Sequence, residues 1–132
     1  DDVRLKKTVG RMATYLQGYG DLMVSTNHWD PAVLERFRRD PFVAGFRGAI
    51  DNTATTSELE HVATLIPSEW LAAAGLGTPA ECADAVLRQM DLGADSVIIH
   101  GATPAELAPM VHAYRAIRPA GRFDHLAANP GA

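Results

Sequence analysis

The chain has a single cysteine, Cys82, among 132 residues, so no disulfide closes within it, and this fits a reducing compartment, the cytoplasm. No apolar run approaches the roughly 18–20 residues that a membrane-spanning helix needs, and nothing looks like a signal peptide. Excess charge of one sign is missing too. A net charge of −4 and a pI near 5.7 give no electrostatic footprint for nucleic acid. Basic side chains gather at Arg4, Lys6, Lys7 and Arg11, and again at Arg36, Arg38 and Arg39, but they alternate with apolar positions and read as solvated helix faces. No histidines and carboxylates stand at metal-ligand spacing. Nucleophile elbow, Walker loop and triad order are likewise absent. No catalytic residue can therefore be named from spacing.

What is present is a repeated string. Thr-Pro-Ala-Glu occurs at Thr78–Glu81 and again at Thr103–Glu106, 25 residues apart. A threonine hydroxyl caps a helix, proline suits the first helical position, and glutamate three residues after the cap reaches back to the cap's amide. Each string follows an apolar run that ends in glycine, Trp70–Gly75 before the first and Ser96–Gly101 before the second. Apolar run, glycine turn and capped helix, stated twice, predict two consecutive strand–helix units of a parallel α/β sheet.

The rest of the chain reads as mainly helical over residues 1–66. Leu5, Val9, Met12, Leu16 and Tyr19 form one stripe of an amphipathic helix that Gly18 and Gly20 are expected to stop. Residues 21–29 stay ambiguous between an extended piece and an irregular continuation. Asp30-Pro31 and Asp40-Pro41 both open helices. Residues 51–57 read as a polar loop, followed by a helix whose inward face holds Leu59, Val62, Ala63 and Ile66. Over residues 67–118 the two strand–helix units follow. The helix after Thr78 carries Cys82, Ala83, Val86, Leu87 and Met90 on one face. Val97-Ile98-Ile99, without alternation, suits a strand buried on both sides. The last helix uses Leu107, Val111, Tyr114 and Ile117, with a kink expected at Pro109. Residues 119–132 read as a tail. Two strands do not complete an α/β domain, and a closed barrel needs roughly 250 residues. The chain, which starts at Asp1, reads as the end of something larger.

Ligands of parallel sheets sit where a strand end, a glycine and a helix start converge. That places the candidate binding residues at Gly75, Gly77 and Thr78, and at His100 and Gly101. His100 would stand at the mouth, placed to donate to a phosphate or to act on a substrate. The glycine turns serve equally as good loops with no ligand. His28, beside Trp29, falls in the ambiguous segment. His61, His112 and His125 read as surface or tail residues, and Cys82 as a small core residue.

With these segments placed, the C-terminal half resembles the end of a luciferase-like monooxygenase. The residues that carry the likeness are Gly77-Thr78-Pro79-Ala80-Glu81 and the run Leu92-Gly93-Ala94-Asp95-Ser96-Val97-Ile98-Ile99-His100-Gly101. Met12 to Tyr19 and Leu65 to Leu71 resemble the subgroup assigned to coenzyme F-420. The resemblance implies the C-terminal portion of a TIM (β/α)8 barrel, with two parallel strands in this chain. It implies hydride transfer to or from FMN or coenzyme F-420, a small-molecule substrate, and a cofactor phosphate tail near Gly75, Gly77 and Thr78. Strands supplying much of the ring pocket would lie in a missing N-terminal half. The competing expectations are a non-catalytic α/β module that oligomerises through helix faces and sheet edges, and a small-ligand binder using the same loops without redox chemistry. A homo-oligomer, or contact with that missing half, is expected in place of a monomer. Neither nucleic acid nor membrane is an expected partner.

Overall fold

The computed structural model describes residues 2–72 and 74–126, and every regular element within them is helical. They divide into two units, residues 1–74 and 75–132. None of the described helices is long and apolar enough to cross a membrane.

The first unit begins with α1 (Asp2–Leu5), a π-helical turn (Lys6–Gly10) and α2 (Arg11–Asn27). The wider turn brings Gly10 onto Asp51 and Leu59. A β-carbon on Gly10 would stand 3.0 Å from the Asp51 Cα, so a side chain there would force Asp51 back by a few tenths of an ångström. Helix α2 does not stop at Gly18 or Gly20. It kinks at Tyr19 (φ −128°, ψ 16°) and runs on to Asn27. Tertiary packing overrides the glycine signal here. A β-carbon on Gly20 would meet Leu34 Cδ1 at 2.6 Å, so the bare glycine is where the next helix seats against α2.

That next helix is α3 (Pro31–Arg39), followed by α4 (Pro41–Gly45). Both start as the aspartate–proline pairs dictate. Asp30 Oδ1 accepts from the Ala32 amide at 2.9 Å, and Asp40 Oδ1 accepts from Phe42 and Val43 at 3.0 and 3.2 Å. The expected polar loop at 51–57 is largely helical instead, split between α5 (Ile50–Thr53) and α6 (Thr56–Ala63). Phe37, Leu16, Ile50, Leu59 and Val62 are fully buried and form the centre of this unit. Removing such side chains from water contributes roughly 1.5–3 kcal/mol each.

Neither expected strand forms among the described residues, so the barrel portion with two parallel strands is overturned. At the first site a 3-10 turn (Ser68–Leu71) puts Trp70 inside, 4% exposed, with its ring stacked on Trp29 at 4.3 Å between centroids. Ring stacking, not a ladder, buries that tryptophan. Ala73, within the same expected strand, lies outside the described residues. At the second site residues 96–100 have no regular structure, and Ile98 is 91% exposed. A strand is stable only when neighbours complete its amide and carbonyl bonds. No described residue offers such a neighbour to 96–100.

The second unit is a pair of helices, α7 (Pro79–Asp91) and α8 (Pro104–Ile117). The expected α7 face is turned inward, but on α8 the buried residue is Met110, outside the expected stripe, and Ile117 at the end of that stripe is exposed. Ala83 and Met110 are buried, and the Tyr114 hydroxyl donates to Met90 Sδ at 3.6 Å. Helix α8 continues through Pro109 without interruption. Of the tail expected over 119–132, residues 120–125 form turns, with Arg122 bonded to Asp91 at 2.6 Å. Residues 127–132 lie outside the described residues.

Candidate functional site

Thr78 and Thr103 cap their helices as the repeated string requires. The Thr78 amide and hydroxyl both donate to Glu81 Oε2, at 2.6 and 2.8 Å, while Thr78 Oγ1 accepts from the Glu81 amide at 3.3 Å. Thr103 and Glu106 repeat the arrangement at 2.7, 3.0 and 3.3 Å. A third box, Thr55 with Glu58, opens α6 and has no proline after the threonine. Sequence reasoning missed it, although Thr-x-x-Glu before an apolar stripe was the available signal.

The boxes bear directly on ligand capacity. A helix N-terminus attracts anions through its unpaired amides and dipole. At α7 the Thr78 and Glu81 amides are already used, and Pro79 has none. The Glu81 carboxylate occupies the end that a phosphate would need. Its hydrogen bonds from the Thr78 amide and hydroxyl hold its pKa below the ordinary value. Of the first turn, the Ala80 amide is left.

Gly75, Gly77 and Thr78 are brought together in one exposed loop. Gly77 sits at φ 117°, where a side chain would also crowd the Glu81 carboxylate. Glycine there serves the capping box. The Cys82 thiol, half-buried, donates to the Gly75 carbonyl at 3.3 Å and ties the loop back to α7. His100 and Gly101 lie in the other loop. Gly101 has φ 83° with open space around it, and His100 is exposed without a hydrogen bond to any described residue. No hydrogen bond among the described residues links the two loops. His100 therefore does not stand at the end of a buried strand.

The first unit holds a second concave feature, which the sequence did not reveal. An open groove of about 540 Å³ runs between α2 and α3, with Val24, Trp29 and Leu34 along it and Asp21, His28 and Arg38 at its polar edge. Arg38 grips Asp21 through two bonds of 2.9 and 2.8 Å. That contact lowers the Asp21 pKa and raises that of Arg38. His28 takes the left-handed conformation (φ 55°, ψ 37°) at the end of α2, a position usually given to glycine. Its amide donates to Ser25 O, and that of Trp29 to Val24 O, closing the helix. The signal lay in the Asn27-His28-Trp29 break, but the groove depends on how α3 packs.

Elsewhere Asp40 joins two elements. Its Oδ2 lies 2.9 Å from His61 Nε2 on α6 while its other oxygen caps α4. Burial opposes the charged form of Asp40, yet the bonds from His61, Val43 and Phe42 outweigh it and keep the carboxyl below its ordinary pKa. No group of three or more histidine, cysteine or acidic side chains among the described residues is arranged to hold a metal ion. No protein-family model matches the chain, and neither a curated protein nor a solved structure matches it significantly.

Proposed function

We propose that the chain is the C-terminal part of a luciferase-like oxidoreductase that uses coenzyme F-420 or FMN for hydride transfer with a small-molecule substrate. The observation that carries this reading is the likeness of Gly77–Glu81 and Leu92–Gly101, together with Met12–Tyr19 and Leu65–Leu71, to that family. The geometry supports a restricted role within it. Both glycine loops are exposed and lead into capped helices, with backbone accessible at Gly75, Gly77 and Gly101. With the Thr78 and Glu81 amides engaged in the capping box, a phosphate-bearing cofactor tail would meet at the first loop the exposed backbone of Gly75 and Gly77 and the Ala80 amide. The two loops bring no side-chain acid or base to a reacting ring. The reaction centre then belongs to a polypeptide longer than these residues.

The test is a titration of coenzyme F-420 and of FMN against this chain and against the longer gene product. Binding by the longer form supports the proposal, and binding by neither removes the redox assignment. A second reading, a non-catalytic module that works by assembly, is favoured by one observation. Leu92 and Ile98 are 82% and 91% exposed, an unusual setting for large aliphatic side chains. Analytical sedimentation separates the two, because the assembly reading demands an oligomer with no cofactor bound.

A further inference from the structure

We draw no further inference here: the strongest candidate, the open groove between α2 and α3 beside His28, carries none because the charged groups along its edge are already paired, Arg38 with Asp21 and Glu35 with Arg39, and nothing in the structure shows what would occupy it.

Discussion

Thr14 caps a helix to which it does not belong. Its Oγ1 accepts from the Asp51 amide in the first turn of α5 at 3.1 Å and donates to the Asp51 carboxylate at 2.8 Å. The residue at the start of α5, Ala49, has no side-chain acceptor to offer. Arg11, one turn before Thr14 on α2, adds an ion pair to Asp51 at 3.1 Å. A four-residue helix is far too short to hold itself, so α5 exists because α2 supplies its cap and Gly10 lets it approach.

Thr14→Val keeps the shape and removes both bonds. It is expected to destabilise the first unit by about 1–2 kcal/mol, the usual loss for a helix cap whose amide is left unpaired. Thr14→Ser should recover most of this. Urea unfolding of the two variants beside the parent chain measures it, and an unchanged midpoint for the valine variant would refute the capping role.

His28→Gly should move stability the other way. The left-handed conformation costs a side-chain-bearing residue roughly 1–2 kcal/mol, and glycine returns some of that gain by its greater freedom when unfolded. A net increase of about 1 kcal/mol is expected, visible as a raised melting temperature. A lower one would mean that the imidazole makes a contact that stabilises the fold.

Gly77→Ala should loosen the start of α7. The new methyl meets both a disfavoured φ of 117° and the Glu81 carboxylate that closes the box. Faster amide exchange at Thr78 and Glu81 is the expected signature, with a local loss of about 1–2 kcal/mol. Exchange in α6, in the other unit, should stay unchanged.

Acid should weaken both units. Glu58 and Glu81 have folded pKa values below their ordinary 4.5, held there first by the backbone amides of Thr55 and Thr78, and Asp40 lies below its ordinary 3.8. For a carboxyl with a lowered folded pKa, the associated stability is present above the ordinary value. It is lost as pH falls through the folded one. Helicity followed from about pH 6 to about pH 3 should therefore decline mainly below pH 4.5. Glu58→Gln with Glu81→Gln should flatten that decline, and a profile identical to the parent's would count against the boxes as its source.

The parts of the fold visible in the sequence are those decided locally. Asp30-Pro31, Asp40-Pro41, Thr78-Pro79 and Thr103-Pro104 each name a helix start by chemistry contained in four residues, and all four open helices. The failures occur where a distant residue decides. Gly20 looks like a stop until Leu34 fills the space beside it. Asp51 looks like loop until Thr14 caps it. Val97-Ile98-Ile99 has the composition of a buried strand, but composition does not supply the neighbouring strands that would make it one. The candidate site divides the same way. Thr78, with Gly77 before it, has the local role its string implies, as a helix cap. The placement of His100 depended on a sheet and fell with it. The groove beside His28 needed the α2–α3 packing and was beyond reach.

The stacked indoles have an optical consequence. Trp29 and Trp70 are the two tryptophans of the chain, both lie in the first unit, and their planes are 9° from parallel. Rings held face to face at this separation couple their electronic transitions, so a paired positive and negative band should mark their near contact in circular dichroism. Selectively excited emission reports the first unit alone, leaving α7 and α8 dark. A fluorescence melting curve and a helicity melting curve of this chain thus observe different populations, and the gap between them measures how independently the two units come apart.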